Sequence, residues 1–353
     1  NGSGGSYWSI YMGKLDETNN FLDLFCHSVG ESEVPRDFIF WAGMSLLAAC
    51  VADRVWMEPD AGRKVTPNLY VFLLGPSGTG KEYAVHAAGK YAAKEPTINV
   101  YGGMATSQFL LKYLARRHKS DNQVWAFVNT KLYFITEELG MCTRPGEQAH
   151  DLVPTMTGLY KGAPYPFRKG TVSGDELMIP NPCLNWLAGS TDDWLVKTIG
   201  RDAVMGGFTA RLVTVRGRRN YAVRYPQMLF PEDLEEVKAH LEARVRGYTE
   251  AEGGLTLSDE ARVIHDHWYL TRPAPTDEQN EPGFNKADEM VLRFATLLSL
   301  ADWDAVAERD APGIVEQRHM QRAIDLWDEV SAQTPEDIRL ASEVYLNKRA
   351  EMH

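Results

Sequence analysis

The residues with chemical potential gather in three short runs. The first is Gly75-Pro76-Ser77-Gly78-Thr79-Gly80-Lys81, which reads G-x-x-x-x-G-K. Glycines at this spacing let the backbone curl so that several N–H groups face one phosphate chain, and the lysine reaches the terminal phosphates. The second run is Glu137-Glu138, two carboxylates behind the apolar stretch Leu132-Tyr-Phe-Ile. Phosphoryl transfer to water needs one acid beside a phosphate-bound Mg²⁺ and another group that orients the water. Glu137 takes the metal-side position and Glu138 the position of the base. The third run, Ser190-Thr191, closes Cys183-Leu-Asn-Trp-Leu-Ala-Gly. Either hydroxyl suits a sensor of the γ-phosphate, and either suits a cap for a helix over Asp192–Ile199.

One position departs from the phosphate-loop pattern. The residue after the lysine is normally Ser or Thr, whose hydroxyl helps hold Mg²⁺. Here it is Glu82. A carboxylate can ligate the metal, yet it also brings negative charge towards a polyphosphate. Altered metal binding, slow turnover, binding without efficient hydrolysis and an engineered substitution are all compatible with it. A further cation, Arg211, precedes the apolar run Leu212–Val215. From there it could stabilise the charge on a neighbouring subunit's γ-phosphate, or form a surface ion pair.

These runs require strands and helices to hold them. Leu69–Leu74 is strand-like by length and leads into the phosphate loop; Tyr83–Ala93 has a helical pattern and follows it. Further strands are expected at Thr97–Tyr101, Lys131–Thr136, Leu184–Ala188 and Leu212–Val215, with a helix over Ser107–Arg117. Strands alternating with helices imply a parallel sheet covered on both faces. Residues 7–66 read as an N-terminal helical segment that includes a buried helix from Phe38 to Ala52. It ends in a short hairpin that turns at Asp60-Ala-Gly62. The core spans 67–222. A helical lid follows over 223–335, with helices at Glu232–Tyr248, Ser258–Leu270, Asn285–Ala305 and Glu316–Ala332. Residues 336–353 form a helical tail. The opening Asn1-Gly-Ser-Gly-Gly-Ser6 looks like a linker or tag scar.

The chain has 353 residues, 44% apolar and 24% charged, as soluble globular proteins do. No apolar run is long enough to cross a bilayer. The four cysteines, Cys26, Cys50, Cys142 and Cys183, show no C-x-x-C spacing; scattered thiols point to a reducing, cytoplasmic setting. A net charge of −11 excludes a wholesale electrostatic nucleic-acid binder, but not a local basic patch in a ring pore.

Several segments together resemble a P-loop ATPase family of phages, plasmids and other mobile elements, regarded as primase-associated replicative helicases. They are Asn68 to Lys81, Phe134-Ile-Thr-Glu-Glu-Leu139, Leu159-Tyr-Lys-Gly162, Ile179-Pro-Asn-Pro-Cys-Leu184 and Gly207-Phe-Thr-Ala-Arg211. The resemblance covers about residues 20 to 335. It implies an α/β P-loop NTPase core of the AAA+ type with an N-terminal helical segment and a C-terminal helical lid. It also implies ATP and Mg²⁺ as cofactors, a homo-oligomeric ring expected as a hexamer, single-stranded DNA as a partner and a primase nearby. Glu82 and Glu137 stand where that family has Ser/Thr and Asp, so metal handling is what they put in question. The lid run Lys286-Ala-Asp-Glu-Met-Val-Leu-Arg293, with Ile314 to Ile324 after it, is similar to the lid of minichromosome-maintenance helicases. On that likeness Lys286 occupies the second-sensor position, with lysine in place of arginine.

Between the third and fourth strands, Pro166 to Ile179 reads as a hairpin with a Ser-Gly turn. In ring helicases such a hairpin grips DNA. Lys161, Arg168 and Lys169 would contact phosphates, with Tyr165 or Phe167 stacking on bases. Arg216, Arg218, Arg219 and Arg224 form a second basic cluster. Arg116 to Lys119 suits a helix C-terminus. The expected function is an ATP-driven DNA motor; the alternatives are a nucleotide-gated assembly module, and a loader or defence ATPase triggered by DNA.

Overall fold

The computed structural model describes residues 20–119, 125–127, 130–141, 147–160, 166–170, 176–195, 207–221, 233–275, 281–308 and 313–332. The chain begins with α1 (Phe21–Val29), α2 (Arg36–Val51), β1 (Val55–Met57), β2 (Tyr70–Leu74), α3 (Lys81–Lys94), β3 (Val100–Gly102) and α4 (Ser107–Leu114). Then come β4 (Arg117–Lys119), β5 (Trp125–Phe127), β6 (Lys131–Thr136), α5 (Glu147–Tyr160), β7 (Phe167–Gly170), β8 (Glu176–Ile179), β9 (Cys183–Ser190) and β10 (Leu212–Arg216). The remainder is α6 (Leu234–Glu250), β11 (Gly253–Leu257), α7 (Asp259–Thr271), α8 (Glu281–Asp302), β12 (Ile314–Val315) and α9 (Gln317–Ser331).

Five strands form one parallel sheet in the order β10-β2-β9-β6-β3. Every residue of β2 and β9 is buried. Central strands of a parallel sheet are covered on both faces and so carry continuous apolar runs. One face carries Tyr70, Phe72, Trp186 and Phe134, whose rings meet edge-on or stacked at 4.8–5.8 Å. Helix α5 covers it: the Tyr70 hydroxyl donates to the Met156 carbonyl at 3.0 Å. The other face meets α2 and α3. Asn185 donates to the Ala48 carbonyl at 3.3 Å, and Ile135 abuts Gly89. The fold is therefore α/β, a parallel sheet flanked by helices.

Thirteen of the sixteen residues of α2 are buried, so it is apolar all round, as the run Phe38–Ala52 required. It lies directly on the sheet. The expected turn after it is present: Met57 and Val65 bridge antiparallel, and the Arg63 N–H donates to the Asp60 carbonyl. The main pairing of β1 was not foreseen. It runs parallel to β11, which also pairs with β12, so a small three-stranded sheet ties the N-terminal segment to the C-terminal helices. Helix α7 begins where expected, with the Ser258 hydroxyl accepting from the Ala261 N–H at 3.1 Å.

One local expectation is corrected. The helix over Ser107–Arg117 stops at Leu114, and Arg117–Lys119 enters a two-stranded antiparallel ribbon with β5. The basic residues there do not form a helix C-terminus. The expected hairpin is present as β7 paired antiparallel with β8, and the half-buried Phe167 ring approaches Gly158 of α5.

Candidate functional site

The register of the sheet brings the three chemical runs to one edge. Leu74 pairs with Ser190 and Thr136 with Ala188, so β2, β9 and β6 end side by side at their carboxyl tips. Ligands of open parallel sheets bind at this edge. The glycine-rich loop leaves β2 there. Its Gly75 N–H donates to the Ser190 carbonyl at 3.2 Å, and the Gly217 N–H donates to the Leu74 carbonyl at 3.0 Å. A Cβ at Gly75 would lie 2.7 Å from the Gly217 carbonyl oxygen, so the turn depends on glycine.

Pro76, Ser77 and Gly78 are exposed, whereas Thr79 is buried. Gly78 and Gly80 have φ of 79° and 90°, in the left-handed region that glycine adopts readily. Gly80 is the N-cap of α3 and brings no capping side chain. The first-turn N–H groups therefore lack the partner that Ser or Asp would supply, as an anion-binding helix start requires. Lys81 is buried; its ammonium donates to the Gly75 and Pro76 carbonyls at 2.6 and 2.8 Å. Burial holds its pKa below the usual lysine range, against the opposing pull of Glu138 and Asp192.

Glu138 lies within electrostatic reach of Lys81. Burial raises its pKa, while Lys81 and the Gly140 N–H work the other way. One carboxylate oxygen, Oε1, is buried without a hydrogen-bond partner among the described residues. A buried acceptor in that state is costly, and such atoms mark sites of function or of an additional ligand. The neighbouring backbone is tight: a Cβ at Gly189 would collide with the Glu137 carbonyl oxygen and approach the Lys81 side chain. The acidic strand, the serine-tipped strand and the lysine thus touch one another.

The Glu137 carboxylate turns to α3. Its Oε1 lies 2.6 Å from His86 Nε2. Glu82, His86 and Glu137 are all exposed, and their ligand atoms lie within 4.8 Å of one another. Sequence reasoning named both glutamates and missed His86, although the Glu82/His86 spacing of four residues puts both on one helix face. Against a Mg²⁺ site the donor set divides: the two carboxylates suit that ion, and the imidazole does not.

The Ser190 hydroxyl donates to the Thr191 carbonyl at 3.0 Å. Thr191 Oγ1 accepts from the Trp194 N–H at 3.4 Å, the geometry of a helix cap. Between the two, Thr191 takes the capping role and Ser190 lies nearer the phosphate loop. Arg216, expected in a second basic cluster that could contact DNA or a neighbouring subunit, closes β10 opposite Leu74 and forms an ion pair with Asp192. A guanidinium thus stands beside the loop. In the same cluster Arg219 pairs with Glu33; Arg224 lies outside the described residues. The loop between α1 and α2 borders the site: Val34 packs on Gly80, Pro35 and Phe38 on Gly217, and the Asn220 N–H donates to the Glu33 carbonyl.

Other expected site residues lie elsewhere. Arg211 directly precedes Leu212, which pairs with Tyr70 at the start of β2. Four strand residues, about 13 Å of strand rise, separate that level from Leu74. Arg211 donates to the Gly207 carbonyl, and its guanidinium lies 5.8 Å from the Tyr160 ring centre. Lys286 pairs with Glu289 at 3.4 Å on α8. That helix docks at the same amino-terminal edge, through Arg293 to Thr66 and Asn68 and through Asp288 to Arg63. Neither cation is brought to Lys81 of its own chain. On the hairpin, Arg168 pairs across the strands with Glu176 at 2.7 Å, which offsets its charge. Lys161 and Tyr165 lie outside the described residues, as do residues 1–19 and the tail beyond 332. Among the described residues, no helix is long and apolar enough to cross a membrane.

No protein-family model and no curated protein matches the chain.

Proposed function

We propose that this chain is an ATPase with an AAA+-type P-loop core, working as a ring-forming motor on DNA and, by resemblance, as a replicative helicase of a mobile element. The observation that carries the reading is the convergence of the Lys81 loop, the Glu137-Glu138 tip and the Ser190 tip at one sheet edge. Phosphates seated on the uncapped start of α3 would meet Lys81 on one side and Glu138 on the other. Lys81 would exchange its two carbonyl partners for phosphate oxygens. The unpartnered oxygen of Glu138 would accept a proton from the attacking water. Val34 and Pro35 offer apolar contact for a base beside the loop. A divalent cation held by Glu82 and Glu137 would supply positive charge to the terminal phosphate oxygens.

Arg211 supports the ring. At the amino-terminal edge it lies far from its own loop, which is compatible with service to a neighbour's nucleotide. The DNA element rests on the family resemblance and on the basic pair Arg168 and Lys169 of the β7–β8 hairpin. Glu82 favours a second reading, an assembly module that binds nucleotide and hydrolyses it slowly.

Steady-state turnover of the chain and of Glu82→Ser, with and without single-stranded DNA, tests the proposal. DNA-stimulated turnover that disappears in Glu138→Gln supports the motor. An inert parent with turnover restored by Glu82→Ser supports the nucleotide-gated module instead. No nucleotide binding in either protein rejects both.

A further inference from the structure

The group formed by Glu82, His86 and Glu137 is more than a His–glutamate pair. An ion pair between His86 and Glu137 would explain the 2.6 Å contact between them. It would not explain a second carboxylate, Glu82, with its oxygen within 4.8 Å of both. Two carboxylates this close repel, and the helix could hold Glu82 elsewhere at little cost because the side chain is exposed. A shared cation removes that repulsion.

The chemistry of the donors selects the cation. Mg²⁺ prefers oxygen ligands and gives up water reluctantly. Imidazole nitrogen beside carboxylate oxygen suits first-row transition ions, and the order of affinities runs the same way. Glu82 and His86, one turn apart on α3, together with Glu137 therefore make a mixed nitrogen–oxygen donor set. Donors come from two rigid elements, the first turns of α3 and the tip of β6. All three are exposed, so the remaining coordination positions stay open to water or to a ligand oxygen.

We propose that Glu82, His86 and Glu137 form a three-ligand site for a transition-metal divalent cation, of the Mn²⁺ or Zn²⁺ class rather than Mg²⁺. Metal binding rests on these donors alone; its service to a bound nucleotide rests on the function proposed above.

The test uses the full chain, stripped with chelator and free of nucleotide, titrated with Mn²⁺ and followed by the paramagnetic resonance of the free ion. The expected result is about one tight Mn²⁺ per chain, displaced by Zn²⁺ but not by a similar concentration of Mg²⁺. His86→Ala and Glu82→Ser should each weaken Mn²⁺ on the order of tenfold or more, because even outer-sphere changes at metal sites cost that much. Circular dichroism of both variants should match the parent, since the two side chains are exposed. Equal affinity for Mg²⁺ and Mn²⁺, or His86→Ala binding Mn²⁺ like the parent, overturns the proposal. A fluorescent ATP analogue with Lys81→Ala, in chelator, tests the nucleotide site separately. His86-dependent Mn²⁺ binding without analogue binding would uphold the metal site and reject the nucleotide reading; the reverse result would do the opposite.

Discussion

The Gly75 N–H donates to the Ser190 carbonyl, fastening the first residue of the glycine-rich loop to the tip of β9. The bond matters because β9 lies between the loop's own strand and the acidic strand β6. A loop fixed to β9 on one side is held at a set distance from Glu138 on the other. The arrangement makes the sheet a jig for three polar groups that are distant in sequence.

Lys81→Ala should abolish tight nucleotide binding and leave the fold intact. The ammonium donates to two carbonyls of its own loop, so its loss frees two acceptors at an edge water can reach. A charge-assisted hydrogen bond to phosphate contributes about 1.5–3 kcal/mol. The expected loss is on the order of 10- to 100-fold in affinity, read by titration with a fluorescent ATP analogue. Unchanged affinity would show that the loop binds no phosphate.

Glu138→Gln should separate binding from turnover. The amide is close in shape to the carboxylate and cannot take a proton, so turnover should fall by roughly 10²–10⁴-fold with analogue affinity within a few-fold of the parent. Glu138 also opposes the charge of Lys81, and its neutralisation should not weaken phosphate binding. A variant with parental turnover would remove Glu138 from the chemistry.

The edge that gathers Lys81, Glu138 and Ser190 was readable from local pattern, and much of its surroundings was not. Lys131–Thr136 has the bounds expected of it, because a short apolar run before two acids leaves little choice. The helix after the loop starts at Lys81, two residues before Tyr83, because Gly80 in the left-handed region already turns the chain. The pairing of β1 with β11 joins Val55 to Gly253, and short parallel strands so far apart carry no turn signal between them. Arg117–Lys119 is polar and lacks alternation, so it read as the end of a helix. His86 escaped notice because an exposed histidine on a helix is ordinary until the tip of β6 is placed beside it. Arg216 was read only as part of a basic cluster, because the register alone shows that it ends opposite Leu74.

Asp23→Asn should stabilise the protein, and the gain should depend on pH. Burial, helped by the nearby Asp302 charge, pushes the Asp23 carboxyl up to about 6. A raised carboxyl favours the folded state when protonated, so its penalty is absent below about pH 4, the unfolded value. The penalty grows as pH rises towards 6 and is constant above it. The amide should therefore add about 2 kcal/mol at pH 8, a gain that shrinks below pH 6 and vanishes near pH 4. Denaturant titrations at pH 4.5 and 8 measure it; equal gains at both would contradict the assignment.

Arg293→Met should be among the most damaging single changes in the lid. The guanidinium is buried and donates to the Thr66 carbonyl and to both the carbonyl and side-chain oxygens of Asn68. It also lies 4.7 Å from the Tyr160 ring centre. Asn68 in turn donates to the Tyr160 carbonyl at 2.8 Å and the Leu184 carbonyl at 3.2 Å, so one arginine ties α8, α5 and the approach to β2 together. Methionine keeps much of the stem volume and removes the guanidinium from the Thr66 and Asn68 carbonyls, while Asn68 Oδ1 keeps its bond from the Thr66 hydroxyl. The expected cost is about 2–4 kcal/mol, measured by denaturant unfolding. Lys286→Ala, on the same helix and joined among the described residues to Glu289 in an i,i+3 pair, should change stability by less than about 0.5 kcal/mol. Equal losses from the two would mean that α8 is not anchored through Arg293.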